Sequence, residues 1–177
     1  VNENELRTIV VLVQNQPGVL NRAMSLFRQR GFNIESVAVG HSEMPGVSRM
    51  TFVLEGNDRT VEQAIKQLYK LLEVIKVTDV THENLIQREL ALVKVTATDR
   101  TRSDIMRIAS DVYRARVVDA APDALSIEIT GPTAKIDSFL SMIRSYGIKE
   151  VVRTGAVAMV RGSGSGGLSV VRTNQAA

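Results

Sequence analysis

Apolar and polar positions change period several times along the chain, and each change predicts an element. Leu6 to Val13 (LRTIVVLV) is a β-branched run ahead of Pro17-Gly18, the pattern of a mostly buried strand. Leu20, Ala23, Met24 and Phe27 then recur at helical spacing, and Gly31 is placed to end that helix. Ile34 to His41 alternates as a strand, Met44-Pro45-Gly46 marks a turn, and Ser48 to Glu55 is its hairpin partner. After Gly56-Asn57-Asp58, a helix from Thr60 carries Ala64, Ile65, Leu68, Leu71 and Leu72, and Val74 to Val80 closes the set as a strand.

The second half repeats this order. Leu90 to Val95 is a strand, and Ser103 to Tyr113 is a helix with Ile105, Ile108, Ala109 and Val112 on one face. Arg116 to Ala120 and Leu125 to Thr130 flank the turn Ala121-Pro122-Asp123-Ala124. Gly131-Pro132 opens a helix carrying Ile136, Phe139, Leu140 and Ile143, and Ile148 to Val160 is the closing strand, with Gly155 as a bulge or break. Each half reads β-α-β-β-α-β. That order predicts an α+β chain of two ferredoxin-like domains: residues 1–81, a short polar linker 82–88, residues 89–161, and a Gly/Ser-rich flexible tail 162–177.

Composition narrows the chemistry. The 177 residues, 44% of them hydrophobic, suffice for two small cores. Without cysteine there is no disulfide, thiol nucleophile or thiolate metal site. Residues 1–82 hold nine basic and nine acidic side chains, so the net charge of +3 forms no basic stripe, and aromatics are only 4%. Nucleic-acid binding is not expected from such a chain. No apolar run approaches membrane-spanning length, and Val1 to Leu6 does not read as a secretory signal, so no membrane association and a cytoplasmic location are expected.

The junction Gln14-Asn15-Gln16-Pro17-Gly18-Val19-Leu20 carries the most suggestive chemistry. It joins a strand to a helix start, where exposed amides such as those of Val19 and Leu20 can take an anion or a carboxylate. The same residues also read as an ordinary turn, with Asn15 a turn former and Gly18 a spacer. Asn33, just before the second strand, is likewise either a turn residue or part of a site shared between two copies. His41 and His82, the two histidines, lie far apart without a carboxylate cluster, so no metal site is expected. Ser103 among Asp99, Arg100 and Arg102 is better explained by a capped helix start involving Thr101 and Asp104 than by phosphate binding. The six methionines are expected as core filler. No catalytic residues can be assembled.

The run IVVLVQNQPGVLNRAMSLFRQRGFNIESVAVG (9–40) resembles the ACT domain of the small regulatory subunit of acetolactate synthase (acetohydroxyacid synthase). The similarity continues through HSEMPGVSRMTFVLEGND (41–58), VTDVTHENLIQRELALVKV (77–95) and the stretch 129–162. The resemblance implies a non-catalytic subunit that activates a large catalytic subunit and confers feedback inhibition by valine in branched-chain amino acid biosynthesis. It implies a homodimer through the ACT domain. In it, Asn15, Gly18, Val19 and Leu20 of one copy would face Asn33 and Ile34 of the other across the effector. Thiamine diphosphate, FAD and magnesium would belong to the catalytic subunit, with no cofactor in this chain. An amino-acid-sensing ACT protein that regulates a different enzyme or a transcription factor is the alternative, and valine is not ranked against leucine or isoleucine.

Overall fold

A computed structural model of the chain describes residues 5–162. They divide into two compact units, residues 5–86 with 157–162, and residues 87–156.

The first unit runs β1 (Glu5–Gln14), α1 (Val19–Gln29), β2 (Ile34–His41), β3 (Val47–Gly56), α2 (Asp58–Leu68), β4 (Val74–Asp79). Its antiparallel sheet has the order β2-β3-β1-β4, so β1 and β3 are central and β2 is an edge. Alternation along β1 and β3 turns Ile9, Val11, Val13, Met50, Phe52 and Leu54 to one face, where α1 supplies Val19, Ala23 and Phe27 and α2 supplies Val61, Ala64 and Leu68. Phe27 meets Phe52 edge-on, with ring centroids 4.9 Å apart. On the opposite face Val10, Leu12, Thr51 and Val53 are also buried. There the Arg49 guanidinium donates to the carbonyl of Ala158 at 2.8 Å, tying in the returning chain.

The second unit holds β5 (Leu85–Thr96), α3 (Arg102–Arg107), β6 (Arg116–Ala121), β7 (Ala124–Gly131), α4 (Thr133–Ile143) and β8 (Ile148–Arg153), in the sheet order β6-β7-β5-β8. Ala91, Val93, Val95, Ile127 and Ile129 face Ile105, Ala109, Ile136, Phe139 and Ile143 from its helices. Glu89 is 5% exposed and accepts two hydrogen bonds from Arg153, at 2.6 and 2.8 Å, with a third from the Thr133 hydroxyl at 3.3 Å. Arg153 also donates to Asp137 at 2.8 Å. Each unit is thus the expected ferredoxin-like βαββαβ sandwich.

Several expectations fail locally, each for a structural reason. Residues 85–88, expected as linker, already belong to β5. The closing strand breaks at Gly155 (φ +78), so β8 ends at Arg153 and β9 (Val157–Val160) follows separately. α2 begins at Asp58, because the Asn57 side chain caps it by accepting from the Thr60 N–H at 3.0 Å. It ends at Leu68: Lys70 and Leu71 then donate three residues back, tightening the turn and throwing Leu72 out to 96% exposure. α3 gives way to a π-helical turn, Ile108–Val112, closed by Tyr113 N–H to Ile108 C=O at 3.3 Å. The wider turn rotates Val112 outward and buries Tyr113, which packs edge-on against Phe139 and pairs its hydroxyl with Ser138 at 2.8 Å. Met50 is core, but Met106, Met142 and Met159 are exposed, so methionine here is not uniformly filler. The stretch 163–177, most of the expected tail, lies outside the described residues.

Candidate functional site

The first loop is anchored at both ends by its backbone. Gln14 N–H donates to Glu73 C=O and Asn15 N–H donates to Gly46 C=O, both at 2.8 Å. Two backbone amides on the approach to the helix are therefore already used. Gln16 N–H turns back to Gln14 C=O at 2.9 Å, and Pro17 leads to Gly18, the residue that caps α1. Gly18 adopts φ +82, ψ −4, the left-handed conformation glycine reaches without strain.

α1 starts without the usual compensation. No side chain caps it, and its first turn holds no acidic residue. The helix dipole and first-turn amides leave a positive end open to an anion. Its own fourth residue adds to that charge. Arg22 folds back toward Gly18, where an added Cβ would lie 3.1 Å from its Nη1, and its Nη2 donates to Glu73 Oε1 at 2.6 Å. Arg22 and Glu73 were not singled out from the sequence. Arg22 sits four residues after Gly18, a spacing that could have been noticed; Glu73 is 51 residues away, and only the fold brings it there.

The six expected site residues divide into two groups. Asn15, Gly18 and Leu20 are exposed on the loop and first helical turn. Val19 is 2% exposed and belongs to the core, so it can offer backbone but no side-chain surface; its N–H points at Gln16 C=O at a long 3.4 Å. Asn33 donates to Glu55 Oε2 at 2.7 Å, and Ile34 packs half-buried against the core. Within one chain the groups do not meet. Ile34 pairs with Leu54, which pairs with Arg7, seven residues before Gln14 on β1. At ~3.3 Å per residue that is roughly 23 Å along the sheet.

Other candidate chemistry resolves into structure. His82 Nε2 lies 2.6 Å from Nη1 of Arg7, a guanidinium that is itself buried and paired with Asp58. The expected side-chain cap of α3 is not made: Thr101 accepts instead from the Thr98 N–H ahead of the helix at 3.0 Å, while Arg102 donates to the carbonyls of Ala121 and Pro122 at 2.7 and 2.8 Å and is spent on that turn. Among the described residues no three His, Cys, Asp or Glu side chains are grouped to hold a metal, and no helix is long and apolar enough to cross a membrane.

Two consecutive ferredoxin-like units, the first with an uncapped, arginine-flanked helix start, define the architecture. Comparison with known proteins agrees with it. Residues 9–76 match the family model described as the AHAS small subunit-like ACT domain, and residues 88–162 match the one described as the small subunit of acetolactate synthase. The chain is 53% identical over 156 residues to a probable acetolactate synthase small subunit of Archaeoglobus fulgidus, covering 88% of this chain and 97% of that one. It is 47% identical over 159 residues to the acetolactate synthase small subunit of Bacillus subtilis, covering 89% and 91%. The crystal structure of the Thermotoga maritima acetolactate synthase small subunit superimposes with a TM-score of 0.83 at 40% identity, covering 89% of this chain and 98% of that one. The chain belongs to the acetolactate synthase small-subunit family.

Proposed function

We propose that this chain is the non-catalytic regulatory subunit of an acetolactate synthase in the cytoplasm, activating the catalytic subunit and conferring feedback inhibition by valine. The chemistry of acetolactate formation, with its thiamine diphosphate, FAD and magnesium, is assigned to the large subunit. The observation that carries this reading is the split between the two halves of the candidate site. β2 is an edge strand, and a second copy's β2 added antiparallel across a two-fold axis would be reversed end to end. Asn33 and Ile34 of that copy would then arrive at the His41 end of this strand. The hairpin tip at Gly46 and the loop bonded to it, Asn15 to Gly18, lie at that end.

In such a dimer an α-amino acid finds complementary groups. Its carboxylate meets the positive end of α1, its ammonium meets amide oxygens of Asn15 or Asn33, and its branched side chain meets Leu20 and Ile34. Binding one dimer arrangement better than another would shift the population that the catalytic subunit meets, and linkage requires the catalytic subunit to alter valine affinity in return. Copurification and activity assays with an acetolactate-forming catalytic subunit test the reading. Stimulation that valine reverses is expected; a chain that neither binds nor stimulates that enzyme would leave an amino-acid sensor for some other target.

A further inference from the structure

We infer that Arg22 is a movable carboxylate clamp for the effector and that Glu73 is the built-in anion it must release. This rests on the effector reading above and goes beyond it by assigning control of affinity to a pair of side chains outside the expected site.

A cation near a helix N-terminus is unfavourable, because the dipole and free amides there are already positive. Nothing in the first turn of α1 offsets this: there is no cap side chain and no acidic residue. Yet Arg22 does not extend away into solvent. Its guanidinium lies over Gly18, close enough that an added Cβ would stand 3.1 Å from Nη1. Glu73 holds it there through a single 2.6 Å contact from Nη2. The carboxylate therefore occupies the role a bound anion would fill.

Exposure makes the exchange feasible. The Arg22 side chain is 42% exposed, against 18% for Glu73, so a ligand carboxylate can reach the guanidinium from solvent and compete for it. Arginine presents several N–H donors in one plane, so it can turn from Glu73 to a ligand at the loop without leaving the site. A Cβ at position 18 would crowd Nη1 at 3.1 Å, so glycine there gives the guanidinium room. Glu73 is also coupled to the loop through its backbone, since its carbonyl accepts from Gln14 N–H at 2.8 Å. Releasing its side chain would therefore be felt at the start of β4.

Titration calorimetry of the full chain with L-valine, on wild type and on Arg22→Gln, Glu73→Gln, the double variant and Arg22→Lys, tests this. Arg22→Gln should weaken binding about tenfold, the size of one charge-assisted hydrogen bond. Glu73→Gln should strengthen it about threefold or more by removing the internal competitor. The double variant should follow Arg22→Gln, and Arg22→Lys should recover part of the loss. A pair that only straps the loop would move both single variants in the same direction, and that result, or an unchanged affinity in Glu73→Gln, overturns the inference while leaving valine binding standing. Wild type that fails to bind valine removes the effector reading itself and this inference with it. Thermal unfolding of each variant shows that the effect is on affinity rather than folding.

Discussion

The backbone N–H of Asn15 donates to the carbonyl of Gly46 at 2.8 Å, joining the first loop to the tip of the β2–β3 hairpin. Because this bond uses main chain alone, the Asn15 side chain stays exposed and is not needed to shape the loop. Asn15→Ala should therefore change stability by less than about 0.5 kcal/mol, as exposed substitutions do. If the side chain meets the effector ammonium, valine affinity should fall about tenfold. Urea unfolding and calorimetry on the same variant separate the two effects.

Gly18 makes a different demand. Its φ of +82 disfavours any L side chain, and an added Cβ meets Arg22 Nη1 at 3.1 Å. Gly18→Ala should cost about 1–2 kcal/mol from the left-handed backbone, read as a lower urea midpoint at unchanged slope. It should also displace Arg22 and weaken valine binding. Gly18→Asp adds a carboxylate beside the same guanidinium, supplying an internal anion where the effector would dock, and should abolish binding altogether.

Glu89 gives the second unit an acid-sensitive point. Its carboxyl is held below the ordinary glutamate value, chiefly by the hydrogen bonds from Arg153 and against the opposing effect of burial. A carboxyl with a lowered folded-state pKa stabilises the fold fully above its unfolded value, roughly pH 4.3, and loses that contribution as pH falls through the folded one. Stability should thus decline on acidification from pH 5 towards pH 3 as the Glu89 carboxylate takes up a proton. Glu89→Gln should lose about 2 kcal/mol at pH 7, the worth of hydrogen bonds to a charged group, and show a flatter acid profile. Chemical denaturation at several pH values measures both.

How much of this was legible in the sequence depends on the range of the interactions involved. β2 has the bounds that its alternation predicts, Ile34–His41, because period-2 patterning is a local signal. Both βαββαβ orders followed from the same local patterns, whereas the family followed from the resemblance carried by residues 9–58, 77–95 and 129–162. The π-helical turn at Ile108–Val112 did not, since helical spacing of Ile105, Ile108, Ala109 and Val112 assumes a regular helix. Leu72 misled in the same way, continuing an apolar stripe past the point where the chain tightens. In the candidate site, Asn15 and Gly18 announced themselves as turn residues. Val19 looked like a wall residue but packs inward, and the Arg22–Glu73 pair needed the meeting of α1 with the start of β4. Contacts across such separations leave no mark on spacing.

A site shared between two copies depends on the edge strand β2. If the second copy adds to this edge, a charge placed there must separate the dimer and dismantle both sites together. Val39 is suited to that test: it lies near the His41 end of the edge strand and is 47% exposed in the single chain, so replacing it disturbs little of the monomer's own core. Val39→Glu would set two like charges near a two-fold seam. Sedimentation equilibrium should show the mass halved, and valine affinity should fall more than about tenfold although no loop residue is touched. Urea unfolding of the variant should keep its slope, as expected when surface rather than fold has changed. A variant that remains dimeric and binds valine normally would place the seam elsewhere on the chain. Asn33 and Ile34, which reach the loop only through β2 pairing, would then drop out of the site.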